Sequence, residues 1–210
     1  MPDLIERVVI KIGGATLFQP DGFVRELRTL LRENEGAQVW LIVGGGDLVE
    51  AMRSAHRIYP NLDHEELHWR CVELLDHTWA IARQVYGCGV AIETGEELAR
   101  YSQQQTTPGV LWVRVQSFYS RAASHSLPVA WQPSSNWNTT TDTLAWLLGK
   151  TIDADRVLLI KQCECDPSWP LAEAAKLGVI DSELARLIEA NSTLRPAVQL
   201  SKLNLSAGHS

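Results

Sequence analysis

Two apolar strands that each run straight into glycine constrain this chain more than any other feature. Residues 8–15 read Val-Val-Ile-Lys-Ile-Gly-Gly-Ala, and residues 38–46 read Gln-Val-Trp-Leu-Ile-Val-Gly-Gly-Gly. Short continuous runs of this kind, rich in β-branched residues, read as buried strands. Between them, residues 21–33 carry Phe23, Leu27, Leu30 and Leu31 at three- and four-residue spacings, the period of an amphipathic helix. Strand, helix, strand is a βαβ unit, and it points both glycine turns the same way. Glycine allows a close backbone approach to a ligand, and successive amides in such a turn cradle an anion. Lys11 interrupts the first strand. Alone, it is equally a lysine that snorkels to the edge of a buried strand.

The rest of the chain keeps the alternation. A long helical pattern over 65–85 stops at Gly87, a short strand is expected over 89–92, a short helix over 95–104 and a clear strand over 110–115. Residues 127–132, around Pro128, read as a brief extended piece. A polar loop over 133–142 then delivers Thr141 and Asp142 to a helix over 143–150, where capping is the ordinary role of Asp142. A strand over 156–160 ends at Lys161, followed by helices over 171–177 and 181–190 and a possible strand over 194–203. No linker or composition break divides residues 1–210. The expectation is one α/β domain, a three-layer αβα sandwich on a mostly parallel sheet.

Charge and composition remove several function classes. A formal net charge of -6 with no Lys/Arg-rich block argues against a nucleic-acid partner. No apolar stretch reaches the length of a membrane span, and no secretory pattern opens the sequence. The four cysteines, 71, 88, 163 and 165, lack zinc-knuckle spacing and read as reduced thiols, so the expected location is the cytoplasm. His64 and His68 stand four apart, but they read as surface or pocket histidines, and no metal ligand is assigned. No Gly-x4-Gly-Lys-Ser/Thr, Gly-x-Gly-x-x-Gly or Gly-x-Ser-x-Gly pattern is present, which disfavours P-loop, dinucleotide-binding and α/β-hydrolase chemistry.

Three features meet at the carboxyl ends of strands, where parallel α/β folds bind ligands: Lys11 with Gly13 and Gly14, the run Gly44, Gly45 and Gly46, and Asp142. Phosphoryl transfer is mostly positioning plus stabilisation of negative charge by cations and amides. Lys11 and the glycine amides suit that task, with Asp142 orienting Lys11 or holding magnesium.

As a set, Lys11-Ile12-Gly13-Gly14, Val43-Gly44-Gly45-Gly46 and residues 138–145 ahead of the 156–160 strand resemble the amino acid kinase superfamily. That family includes acetylglutamate, aspartate, uridylate, carbamate and isopentenyl phosphate kinases. The resemblance implies an ATP- and Mg2+-dependent kinase in which Lys11 stabilises the transferred phosphoryl group, with Gly13 and Gly14 in the phosphate site. It likewise implies that Gly44, Gly45 and Gly46 hold the acceptor, that Asp142 organises the lysines, and that Lys161 adds charge for the nucleotide phosphates. It also implies a homo-oligomer. His68-Trp69 and Trp137 resemble, more narrowly, the small kinases of methanofuran biosynthesis. The implied acceptor is then 5-(aminomethyl)-3-furanmethanol phosphate, extended to its diphosphate, with Trp69 or Trp137 on the furan ring and His68 on its phosphate. Two departures stand out. The late strand lacks the family's Thr-Asp-x-x-Gly, and no Gly-Gly-Met-x-x-Lys follows, so the C-terminal nucleotide-binding part is shortened. The alternative is a non-catalytic oligomeric protein that keeps the fold and binds an anion or nucleotide.

Overall fold

The computed structural model describes residues 5–19, 22–104, 107–191 and 195–202. Strand β1 (Arg7–Ile12) is buried at every position and lies between β2 (Gln38–Val43) and β5 (Arg156–Lys161). Beyond β2 come β4 (Gly109–Val113) and β3 (Val90–Ile92), and beyond β5 comes β6 (Ala197–Lys202). The order is β3-β4-β2-β1-β5-β6, and every described pairing is parallel. Parallel strands need crossovers, which helices supply. In chain order these are α1 (Gly22–Glu33), α2 (Gly46–Ile58), α3 (His64–Tyr86), α4 (Gly95–Ser102), the single turn α5 (Arg121–Ser124), α6 (Thr141–Thr151), α7 (Leu171–Lys176) and α8 (Ser182–Ala190).

The twofold alternation of side chains along a strand decides what each face meets. Val8, Ile10 and Ile12 pack with Phe23, Leu27 and Leu30 of α1. Val9 turns the other way, into a cluster holding Leu144, Leu147 and Leu148 of α6 and Leu184 and Leu187 of α8. Lys11 therefore shares a face with Val9 and points to the α6 layer. In β5, Leu158 and Ile160 join the α1 cluster while Val157 and Leu159 join the α6 cluster. Lys11 pairs with Leu159 in register, so Lys161, two residues beyond, emerges on the same face as Lys11. Strand register alone brings two lysines together under the N-terminus of α6.

The glycine turns are packed against each other. Gly44 donates its N–H to the Ile12 carbonyl at 2.8 Å, tying the ends of β1 and β2. A Cβ on Gly14 would stand 2.0 Å from the Gly44 carbonyl oxygen, and one on Gly46, at φ +52°, would stand 2.5 Å from the Gly14 carbonyl carbon. Gly13 is different: a Cβ there would meet nothing within 4 Å.

Several expected elements shift. The first helix is described from Gly22, and residue 21 lies outside the described residues. Helix α2 runs from Gly46 to Ile58. Helix α6 begins at Thr141 with Thr140 as its N-cap, so Asp142 sits inside the first turn rather than capping it. The piece around Pro128 is not extended but makes a 3-10 turn over Val129–Trp131. Strand β6 begins at Ala197, and residues 194 and 203 lie outside the described residues. No helix among the described residues is long and apolar enough to cross a membrane.

The contact between the turns sets a prediction. Gly14→Ala should cost about 3 kcal/mol, as overpacking against rigid backbone does, whereas Gly13→Ala should stay within about 0.5 kcal/mol. Urea unfolding midpoints of the two variants against wild type check this.

Candidate active site

The cavity at the carboxyl ends of β1, β2 and β5 has a volume of about 480 Å³. Lys11, Gly14, Gly44, Gly45 and Gly46 line one side, α2 and α3 add Arg53, His68 and Cys71, and residues 136–142 and 178–182 close the rest.

At its floor a single carboxylate meets two ammonium groups. Lys11 Nζ lies 3.1 Å from Asp142 Oδ1. Lys161 Nζ donates to Asp142 Oδ2. The side chains of Lys11, Asp142 and Lys161 are 11%, 5% and 9% exposed, so water screens them little. Burial alone would raise the Asp142 carboxyl, but Lys11 and Lys161 overcome it and hold the group below its ordinary value. Burial pulls Lys161 down, aided by the nearby Lys11 charge and opposed by Asp142. Two cations face one carboxylate here. Asp181, a second carboxylate on the cavity wall, also acts on Lys161 and offsets part of this positive charge.

The segment that carries Asp142 is fastened from α8. Asp181, the N-cap of α8, accepts from Leu184 N at 2.7 Å and Thr143 Oγ1 at 2.5 Å through Oδ1. Through Oδ2 it accepts from Thr140 N, Thr140 Oγ1 and Thr143 N at 3.0, 2.6 and 3.2 Å. Glu183, itself buried, accepts from Ser134 N at 2.7 Å and Ser134 Oγ at 3.0 Å. Burial and the charge of Asp142 push the Asp181 carboxyl up, against these hydrogen bonds. Neither Asp181 nor Glu183 stood out in sequence. Asp181 showed there only as the start of a helix.

The structure brings Lys11, Gly14, Gly44, Gly45, Gly46, His68, Trp137, Asp142 and Lys161 to one cavity. Gly13 and Trp69 do not line it. Trp69 is buried in the α6 cluster, with its ring 5.1 Å from that of Tyr119. Its neighbour on α3 faces the cavity instead: His68 shares a 2.9 Å hydrogen bond between Nε2 and the Tyr119 hydroxyl. Burial pushes the His68 imidazole below its ordinary value, against a hydrogen bond to the Asn136 backbone. His68 thereby props the 134–142 segment. Trp137 donates Nε1–H to His56 Nδ1 at 2.9 Å, and the Arg53 guanidinium lies 5.6 Å from its ring centre. Gly44 spends its amide on Ile12, so it serves the site by allowing close packing rather than by donating to a ligand.

No family model and no curated protein matches this sequence. Solved structures do. A UMP kinase from Bacillus anthracis superposes with a TM-score of 0.59 at 14% identity, over 96% of this chain and 88% of that one. Uridylate kinase from Archaeoglobus fulgidus gives 0.55 at 19% identity, over 93% and 89%. Aspartate kinase from Synechocystis gives 0.54 at 10% identity, over 93% of this chain and 40% of that one. At these identities the likeness establishes the fold: a three-layer α/β sandwich of the amino acid kinase type.

The lysine–aspartate cluster predicts a pH dependence. A carboxyl held low in the folded state adds stability that is complete above its unfolded value, 3.8, and is lost as pH falls below it. Asp181, pushed up, works in the opposite direction, so the quantity to read is the difference between wild type and Asp142→Asn. At pH 7 that variant should be less stable by about 3 kcal/mol or more, since it strands two buried ammonium groups. The gap should narrow between pH 4 and pH 2, a range set by the ordinary carboxylate value of about 4, as denaturant midpoints would report.

Proposed function

We propose that this protein is an ATP-dependent phosphotransferase of the amino acid kinase type, acting on a small acceptor that is already an anion. The observation that carries this reading is the state of Asp142. Both of its oxygens are taken by lysines, so it is poorly placed to remove a proton from an acceptor. A site without a free base suits a nucleophile that is ionised before it arrives, such as a phosphate or carboxylate oxygen. For such a nucleophile, catalysis reduces to positioning and charge stabilisation.

The residues present fit a polyphosphate. Two ammonium groups converge on the cavity floor, the N-terminus of α2 opens beside them, and the turns at Gly14 and Gly46 approach as closely as the absence of Cβ atoms permits. Lys11 and Lys161 would hold the phosphate chain, and ATP supplies the phosphoryl group. Lys11 and Lys161 spread positive charge over the oxygens in transfer. Asp142 keeps the two ammonium groups at a fixed spacing, and Lys161 takes the place of the downstream family lysine that this chain lacks. The residues do not fit a protein-held Mg2+. Asp142 is paired with two lysines, although its Oδ1 accepts no hydrogen bond, and Asp181 is taken up by hydrogen bonds; no cluster of three or more metal-ligating side chains occurs among the described residues.

The acceptor implied by the narrower resemblance, 5-(aminomethyl)-3-furanmethanol phosphate, is the finer part of this proposal. Its support in the cavity is Trp137, an aromatic wall beside Arg53. Trp69 is core and contributes nothing to that wall.

The test is transfer itself. Purified protein with MgATP and the furan phosphate, followed by 31P NMR, should form a diphosphate. Lys11→Met should lower kcat by about 10²–10³, the loss typical of removing one preorganised charge stabiliser. Anion binding without any ADP formation across phosphate and carboxylate acceptors would instead identify a non-catalytic binding protein.

A further inference from the structure

Asp181 makes far more contacts than a helix cap requires. An N-cap needs one bond to its own helix, which Leu184 N supplies at 2.7 Å. The other four bonds go to α6, two each to Thr140 and Thr143. Those residues flank Asp142 on the first turn of α6. The carboxylate is also placed where it is electrostatically unwelcome, half-buried and within the field of Asp142. Such a group persists only when its hydrogen bonds repay the cost. Two residues along, Glu183 anchors the other end of the same segment at Ser134.

We infer that Asp181 is a positioning residue: by gripping Thr140 and Thr143 it sets the first turn of α6 so that Asp142 stands between Lys11 and Lys161. It does not touch the transferring group. Its consequence for catalysis rests on the phosphotransferase reading, but the positioning itself does not. The C-terminal segment, whose sequence lacks the family's lysine motif, thus acts on the site by holding its carboxylate in place.

The experiment is a pH titration of the Asp142 side-chain 13Cγ signal by NMR, on the full chain, with the signal assigned from its loss in Asp142→Asn. No substrate is needed. Thr143→Val removes a hydroxyl donor without changing charge, and Asp181→Asn replaces an acceptor oxygen with a donor that faces the Thr140 and Thr143 N–H groups. If Asp181 positions Asp142, its midpoint rises in both variants by about one pH unit, a tenfold change in proton affinity, while Thr143→Ser keeps the wild-type midpoint. Two results would overturn the inference. One is a lower melting temperature with the Asp142 midpoint unmoved, the mark of a simple cap. The other is a midpoint that falls in Asp181→Asn and stays put in Thr143→Val, the mark of charge alone. Failure of the phosphotransferase reading looks different: wild type transfers nothing, and the titration shifts remain.

Discussion

A carboxylate buried between two ammonium groups is the interaction on which the rest of this structure depends. In the interior, removing one partner of such a cluster leaves charges that nothing else can satisfy, so the elements bearing them are bound to one arrangement. Lys11 comes from β1, Lys161 from β5 and Asp142 from α6. Their meeting pins a strand pair to the helix above it at the carboxyl end of the sheet. Within this triad the positive charges outnumber the negative one, with the Asp181 carboxylate close by.

Around that cluster, two kinds of support divide the work. Below, the turns at Gly14 and Gly46 interlock with no room for a side chain, and Gly44 extends the β1–β2 pairing by one more hydrogen bond. Above, the first turn of α8 holds the 134–143 segment at both ends through Glu183 and Asp181. His68 and Tyr119, hydrogen-bonded to each other, stand beside that segment at Ser135 and Asn136. The cavity is thus built mainly by backbone packing on one side and by carboxylate hydrogen bonds on the other.

Much of the fold was legible in sequence because its signals are local. The β2 strand ends where its apolar run ends, at Val43, and α3 stops at Gly87, whose φ of +75° suits glycine. That Lys11 and Asp142 meet at one cavity was expected from motif and strand-end position. What could not be read depended on contacts distant in sequence. Asp181 reaches Thr143 across 38 positions, and in sequence an Asp before a helix announces only a cap. Lys161 was visible as a charge at a strand end, but its partner follows from the register of β1 on β5. Trp69 and His68 show the same limit: adjacent residues on a helix point about 100° apart, and the type of a side chain does not reveal which one meets the cavity. The piece at 127–132 misled because Pro128 is extended while the three residues after it turn.

We propose that Lys11, Asp142 and Lys161 form one anion-holding centre that serves ATP. Isothermal titration of MgATP into wild type and Lys161→Met tests it most directly. Binding at millimolar or tighter is expected in wild type, with at least about tenfold weaker binding in the variant, a loss of roughly 1.4 kcal/mol. No binding to wild type at millimolar nucleotide, or equal affinity in the two proteins, would contradict it.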